Sequence, residues 1–432
     1  MHVLIVGGGG REHAILEKLR QNPRVERCYA LPGNGGMCAH AQCVPIQATD
    51  LDGIVTFART HEIDFAVIGP DDPLIAGVCD QLRAAGIRCF GPDRAAAAIE
   101  GSKSFAKALM QKYGIPTAGY AVFDHAADAY AYLARADYPC VVKADGPALG
   151  KGVVVAGTQE EAKAAVRAMM EEGAFGQSGR RVVIEEFLMG REASVLAFTD
   201  GKTLVPMVSA LDHKRALDGD RGPNTGGMGA LAPNPYYTQE IAAACMERIF
   251  LPTMRAMQQE GRPFSGCLYF GLMLTGDGPK VIEYNCRFGD PETQAVLPLL
   301  ETDLLEIMLA VEEGRLGEIP VRFRGGAACC VVLASGGYPG AYQTGYEISL
   351  GEAARTAGAL IYHAGTKREQ GRLVTAGGRV LGAAAVGANA QDARAAAYAA
   401  AEGVRFENAF YRRDIGACAI EAAEKRERGI DG

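Results

Sequence analysis

The sequence predicts a multidomain protein of mixed α/β and α+β class, and three observations carry that reading. Strand-like apolar runs alternate with helical stretches from residue 1 to about 100, the pattern of a doubly wound parallel sheet. From Gly101 onward the pattern changes to hairpins with interposed helices, and after Arg324 a further set of strands leads into an Ala-rich helix. A chain of 432 residues suits roughly three domains, each able to bury a core without metal or disulfide staples. The expected division is 1–101, 102–324 with a small hairpin lobe inserted at about 120–190, and 325–432.

The first unit opens on an apolar strand over 2–6, then Gly7-Gly8-Gly9-Gly10, then an amphipathic helix over 11–20. Strands over 27–31, 65–69 and 87–90 follow, each separated from the next by helical sequence. A helix over 103–112 leads through Gly114-Ile115-Pro116 into strands over 139–143 and 152–156, joined by a glycine-containing loop, then a helix over 159–172 and a strand over 181–187. Strands over 193–199 and 203–211 precede a long polar loop over 212–229 and a helix over 238–260; loops of that length are usually functional. The runs 267–275 and 280–287 read as a hairpin turned at Asp277-Gly278, with a helix starting at Thr302-Asp303. The last unit has strands over 329–334, 359–363 and 379–386 and a helix over 391–403, and the chain shows no internal repeat or low-complexity tail.

Composition narrows the function. Hydrophobic residues make up 48% and charged residues 22%, ordinary globular values. A net charge of -7 and a pI near 5.7 leave no overall basic footprint, so neither nucleic acid nor an anionic membrane is expected as partner, and a small anionic substrate would need a local positive pocket. The longest apolar runs, such as 327–334, are too short to span a bilayer, and no basic stretch precedes the first strand, so a cytoplasmic location is expected. The twelve cysteines are scattered with no CxxC pair, which predicts buried, reduced thiols without a metal or redox role.

Five segments carry chemistry. The first glycine loop can present backbone N–H groups to a phosphate at a helix N-terminus. The dinucleotide fingerprint fails, because position 12 is Glu12 and no acidic residue closes the second strand at Ala30-Leu31, so a mononucleotide or sugar phosphate is the leading reading, a purely structural turn the next and a dinucleotide such as NAD the last. The second loop runs Lys143-Ala-Asp-Gly146-Pro-Ala-Leu-Gly150-Lys151-Gly152. It sets two lysines among three glycines, a composition suited to a nucleotide triphosphate, although a hairpin with solvated lysines has the same composition. Glu185-Glu186-Phe187-Leu188 ends a strand whose extended backbone can pair with an adenine edge. Glu192 lies just beyond and can accept from ribose hydroxyls, with a plain surface glutamate as the alternative.

In Val281-Ile-Glu283-Tyr-Asn285-Cys-Arg287, strand periodicity puts Glu283, Asn285 and Arg287 on one face. A carboxylate and an amide oxygen suit Mg²⁺ bound with phosphates, and a guanidinium grips a phosphate or carboxylate; an exposed alternating strand would look the same. The loop from Asp212 and Lys214 to Gly229 mixes both charges with Thr225-Gly226-Gly227-Met228-Gly229, whose exposed amides could hold phosphate or an oxyanion, against a disordered linker as the bland reading.

These motifs in this order, with Gly7-Gly8-Gly9-Gly10-Arg11-Glu12-His13-Ala14 at the start and His363-Ala-Gly365-Thr366 near the end, resemble the glycinamide ribonucleotide synthetases over the whole chain. The resemblance implies a central ATP-grasp fold that uses ATP with Mg²⁺ or Mn²⁺ and takes glycine and 5-phosphoribosylamine as substrates. It implies phosphate contacts from Lys103 and Lys143 in an ATP site that includes Gly150, Lys151 and Gly152. Adenine would meet Glu186, Phe187 and Leu188, with Glu185 also in the ATP site, ribose would meet Glu192, and Glu283 and Asn285 would hold the metal. Asp212, Lys214 and Arg287 would face glycine and the transferred phosphoryl group, and Gly8, Gly9 and Gly10 the phosphate of phosphoribosylamine. Pro147 departs from the expected apolar residue and, lacking an N–H, cannot donate to a phosphate there. Another purine-pathway ATP-grasp ligase or carboxylase would share the nucleotide residues, and a non-catalytic nucleotide-binding module would need no acid substrate; the motifs at 7–14 and 363–366 favour the first reading. One activity and a monomer are expected, with a dimer left open.

Overall fold

In the computed structural model, which describes residues 1–148, 152–356 and 358–427, the strand His2–Gly7 is the middle of a five-stranded parallel sheet. Arg27–Pro32 and then Gln42–Cys43 lie on one side, Phe65–Ile68 and then Arg88–Phe90 on the other. Val3 to Val6 are fully buried because helices cover both faces, which is why this strand is an unbroken apolar run. Strand order reverses across His2–Gly7, so the glycine turn at its C-terminal end opens into the crevice where open α/β sheets bind ligands.

The helix Arg94–Gly101 runs directly into Lys103–Lys112, the two being separated only by Ser102, whose hydroxyl accepts from the Phe105 N–H and caps the second helix. Beyond it stands a small lobe with its own core. Its antiparallel sheet is ordered Tyr120–Phe123, Val182–Glu186, Cys140–Ala144, Val153–Ala156, and Val142 and Ile184 pack on Leu133 and Val166 of the covering helices. A second antiparallel sheet, Leu204–Pro206, Arg191–Asp200, Ser265–Thr275 and Gly278–Asn285, faces it. The last sheet is built on Ala327–Ser335, paired with Arg379–Gly387 and, beyond that, Ala359–His363, under the helix Ala390–Glu402.

Four expectations need correction. The segment 203–211 is not one strand: Leu204–Pro206 stops where Pro206 has no N–H for the ladder, and the chain re-enters as Leu211–Asp212 in a different sheet. The loop 212–229 contains a ribbon, Arg215–Leu217 with Arg221–Asn224, and its flanks Leu211–Asp212 and Gly229–Ala232 extend the C-terminal sheet through Ala327–Ser335. The central hairpin turns at Gly276-Asp277, with Gly278 opposite Thr275 as the first residue of the returning strand. Finally, although nine of the twelve cysteines are buried, Cys38 and Cys418 are exposed and Cys43 is half-buried.

The helix over 238–260 is present as Gln239–Cys245 and Leu251–Gln259 joined by a wide π turn at Met246–Phe250. Pro252 has no N–H to return to the preceding turn, and the widened turn absorbs that loss. Among the described residues no helix is long and apolar enough to cross a membrane, and no three His, Cys, Asp or Glu side chains group to hold a metal.

Candidate active site

Lysines converge between the small lobe and the central sheet. Lys143 projects from Cys140–Ala144, while Lys103 and Lys107, one turn apart, share a face of Lys103–Lys112. Glu185 grips two of them: its oxygens lie 2.9 Å from Lys143 Nζ and 2.9 Å from Lys107 Nζ, with all three side chains at most 5% exposed. Lys143 also donates to the Ile282 carbonyl at 3.3 Å, which is turned out where the register of the central hairpin shifts. Lys103 donates to the Gly146 carbonyl at 3.2 Å, tying the helix to the second glycine loop. Burial lowers the Lys107 pKa to about 8, with Glu185 pulling the other way, and burial likewise lowers that of Lys103.

Tyr284 and Cys286 are buried in the core, so the strand Gly278–Asn285 turns Glu283 and Asn285 to the cleft, as its period of two requires. Gly271 lies opposite Glu283, and a Cβ there would stand 3.1 Å from Glu283 Cγ, so glycine leaves that carboxylate its space. Burial opposes ionisation of Glu283, but Lys214, Lys143, Lys103 and Arg287 outweigh it and hold the carboxyl below its usual range. Arg287 donates to Asn285 Oδ1 at 3.1 Å and is anchored by Glu100 at 3.3 Å, whose other oxygen accepts from the Cys286 N–H at 2.6 Å. The last residues of the first unit thus aim the guanidinium.

Lys214 lies 2.8 Å from Glu192 and 3.9 Å from Glu283. Although desolvation works against its charge, these two carboxylates hold it protonated well above the ordinary lysine range. Asp212 shows the opposite balance: loss of hydration and the nearby Glu292 push its carboxyl well above the usual range against the pull of Lys214. Glu292 in turn accepts from Ser194 at 3.0 Å and from Tyr269 at 2.9 Å, a fully buried layer beneath the cleft.

The glycine turn is tied to protein at several points, while Gly8 and Gly9 stay half-buried at the crevice. The Gly9 N–H donates to Glu12 at 2.6 Å, and the Arg11 N–H to Asp290 at 3.3 Å, so carboxylates already meet the start of the helix Gly10–Leu19. A Cβ on Gly8, Gly9 or Gly10 would come within 2.6 Å of the Gly33 carbonyl, Glu12 or Gln294 respectively. Asn34 binds the turn to the C-terminal unit, donating to the carbonyls of Gly8 at 2.9 Å and His363 at 2.8 Å. The His363 N–H donates to His13 Nδ1 at 2.8 Å. Arg379 reaches across from the same unit to Asp290 at 3.3 Å, and it donates to the carbonyl of Gly226 at 2.6 Å.

The structure therefore brings Lys103, Lys143, Glu192, Asp212, Lys214, Glu283, Asn285 and Arg287 to one cleft. Glu185 and Glu186 are separated by strand parity: Glu185 points in to the lysines, whereas Glu186 accepts from the Gly119 N–H at 3.0 Å at the lobe's edge, followed by the exposed ring of Phe187 and half-buried Leu188. Gly150 and Lys151 lie outside the described residues, and Gly152 is buried, its carbonyl accepting from Ala144. Gly8, Gly9 and Gly10 sit apart from the lysine cluster, at the crevice between the first and last units. Sequence reasoning gave no role to Lys107, Glu100, Asn34, Asp290 or Arg379; the one local signal was the spacing of Lys103 and Lys107, and the others act through contacts distant in sequence.

Comparison with known proteins agrees along the chain. Residues 1–100, 101–293 and 328–418 match, in order, the N domain, the ATP-grasp (A) domain and the C domain of phosphoribosylglycinamide synthetase. The chain is 50% identical over 420 residues to a phosphoribosylamine–glycine ligase of Halalkalibacterium halodurans, covering 97% of each, and 49% identical over 426 residues to that of Agrobacterium fabrum, covering 98% of this chain and 100% of the relative. The crystal structure of phosphoribosylamine–glycine ligase from Thermotoga maritima superposes with a TM-score of 0.85 at 37% identity, over 96% of this chain and 100% of that one. A biotin carboxylase domain of Hydrogenobacter thermophilus 2-oxoglutarate carboxylase shares the fold, with a TM-score of 0.74 at 14% identity over 100% of this chain and 95% of that one. With a parallel N-terminal sheet, a central ATP-grasp domain and a C-terminal domain, each matched in sequence and in order, this chain belongs to the phosphoribosylglycinamide synthetase family.

Proposed function

We propose that this chain joins glycine to 5-phosphoribosylamine at the expense of ATP, forming glycinamide ribonucleotide, ADP and phosphate through glycyl phosphate. The observation that carries the reading is the charge arrangement around Glu283, where Lys103, Lys143, Lys214 and Arg287 converge in a chain whose net charge is negative. Such a pocket selects a polyanion, and the family relatives are phosphoribosylamine–glycine ligases.

A carboxylate oxygen is a poor leaving group, so the amine cannot displace it directly. A glycine carboxylate oxygen attacks the γ-phosphorus of ATP and the bond to ADP breaks. The amine of phosphoribosylamine then attacks the acyl carbon, the bond to phosphate breaks, and the nitrogen loses a proton. The protein's part is alignment and charge neutralisation. Lys103 and Lys143 hold the phosphates, Lys143 being fixed by Glu185, while Glu186, Phe187 and Leu188 take the adenine and Glu192 the ribose, and Gly150, Lys151 and Gly152 contribute further contacts to ATP. Asp212, Lys214 and Arg287 orient glycine and the moving phosphoryl group. Gly8 and Gly10 face the phosphate of phosphoribosylamine, with Gly9 committed to Glu12.

The donor set fits a divalent cation: ionised Glu283 and the Asn285 amide oxygen are the hard oxygen ligands that Mg²⁺ or Mn²⁺ takes together with phosphates. When bound, the ion neutralises charge on the phosphates. The working units are 1–101, 102–324 with the lobe at about 120–190, and 325–432, acting as a monomer in the cytoplasm. The test is a product assay in which ADP and glycinamide ribonucleotide appear in equal amounts only when glycine and phosphoribosylamine are both present. ADP formation at the same rate with bicarbonate or formate replacing glycine removes the proposal.

A further inference from the structure

We infer that Arg412 is a positioning residue for the ligation, holding the loop that carries Asp212 and Lys214 from the far side without reaching the substrates itself. Arg412 is 2% exposed, yet each nitrogen of its guanidinium has an anionic or carbonyl partner. Nε and Nη2 donate to the two oxygens of Asp414 at 2.7 and 2.8 Å, and Nη1 donates to Asp220 at 2.8 Å and to the Arg215 carbonyl at 3.1 Å. Asp220 and Arg215 belong to the ribbon between Lys214 and Gly229.

The neighbours of Arg412 repeat the pattern. Asp414 accepts from the Gly219 N–H at 2.8 Å, and the Arg413 N–H donates to Asp218 at 2.7 Å. The Gly416 N–H donates to Nε2 of His213 at 3.0 Å, and His213 stands between Asp212 and Lys214 in the chain. Because Nε2 accepts, the ring carries its proton on Nδ1 and faces the Gly229 carbonyl at 3.3 Å, at the other end of the same loop. The tail is itself fixed: Tyr398, on the helix Ala390–Glu402, donates to the Arg412 carbonyl at 2.7 Å and accepts from the Ile415 N–H at 3.0 Å.

Residues 412–416 therefore bind the loop at positions 213, 215, 218, 219 and 220, five points on the segment that starts at Asp212. Planar, bidentate pairing is what a guanidinium supplies and an ammonium does not, so the geometry depends on arginine and not on charge alone. A small displacement of a loop that aligns reacting groups costs on the order of a hundredfold in rate even when the change lies away from the chemistry.

The inference rests on the proposed role of Asp212 and Lys214. The experiment compares Arg412→Gln, Asp414→Ala and Lys214→Ala in the full chain, measuring kcat for the complete reaction, the ATP dissociation constant and the thermal midpoint. Expected for the two tail variants is an ATP affinity within about twofold of the parent, since the nucleotide lysines lie elsewhere, with kcat lowered by about 10- to 100-fold at temperatures where both are folded. A purely structural role lowers the midpoint and leaves kcat unchanged in the folded protein; that result, with Lys214→Ala inactive, overturns the inference alone. Should Arg412→Gln not fold, Asp414→Ala decides, because Asp414 is partly exposed at 24%. Full activity in Lys214→Ala overturns the underlying reading of the loop as well.

Discussion

The Lys143 ammonium lies 2.9 Å from one oxygen of the Glu185 carboxylate, and that same carboxylate holds Lys107 with its other oxygen. One buried acid thus fixes a lysine that faces the cleft proposed to take the nucleotide. Removing one partner of a buried ion pair leaves an uncompensated charge and costs about 3–5 kcal/mol. Glu185→Gln is expected to lower stability on that scale and to weaken ATP binding as well. Lys143→Ala should weaken ATP binding by about 1.5–3 kcal/mol, the scale for a hydrogen bond to a charged group. Calorimetric titration with ATP and denaturant melts check both, and an unchanged ATP dissociation constant in Lys143→Ala returns this lysine to a structural role.

Glu283→Gln keeps shape and strand preference while removing the negative charge that four cations surround. Turnover is expected to fall by about two to three orders of magnitude, the range for losing one preorganised electrostatic contact, and excess Mg²⁺ should restore part of it. The check is kcat against Mg²⁺ concentration, with melts to confirm folding. Superimposable curves for the two proteins remove Glu283 from the site.

Asn34→Ala removes the donor that binds Gly8 to His363. The expected outcome is a rise of about tenfold or more in KM for phosphoribosylamine with ATP affinity unchanged, together with a stability loss of about 1–3 kcal/mol for the stranded carbonyls. Equal effects on both substrates would show that the turn serves the whole fold and not the phosphoribosylamine end.

Three histidines make the protein sensitive to acid. Burial lowers His13 to about 3 and His213 and His363 to about 4, from 6.5. Each is neutral in the folded chain over a range where the unfolded chain is protonated, so the unfolded state binds more protons and stability falls as pH drops below 6.5. The loss from each continues down to its folded pKa, at no more than about 1.4 kcal/mol per pH unit. Denaturant melts between about pH 6 and about pH 4.5 should show this slope, and replacing one histidine by glutamine should reduce it. A flat profile contradicts the neutral, buried state of these rings.

Much of this architecture was legible because it is local. The apolar run of the first strand, the helix Lys103–Lys112 and the parity that sets Glu283 and Asn285 on one face all follow from the spacing of neighbouring residues. What the sequence did not reveal depends on partners far along the chain. Asp212 and Gly229 look like the two ends of a loop until Ala327–Ser335, about a hundred residues on, offers Gly229–Ala232 a ladder and Leu211–Asp212 adds outside it. Glu185 and Glu186 are alike in sequence, and only the packing of the lobe decides that Glu185 faces the lysines while Glu186 lies at the edge. Lys107 reads as a solvated helix residue because nothing near it in sequence announces a buried acid.

The central claim is that ATP activates the carboxylate of glycine, and oxygen transfer tests it most directly. With glycine labelled with ¹⁸O in its carboxylate, ATP, Mg²⁺ and phosphoribosylamine, one labelled oxygen should pass to each inorganic phosphate released, because the carboxylate oxygen that attacks phosphorus leaves with it. Phosphate free of label, with glycinamide ribonucleotide still formed, would contradict an acyl phosphate at this cleft.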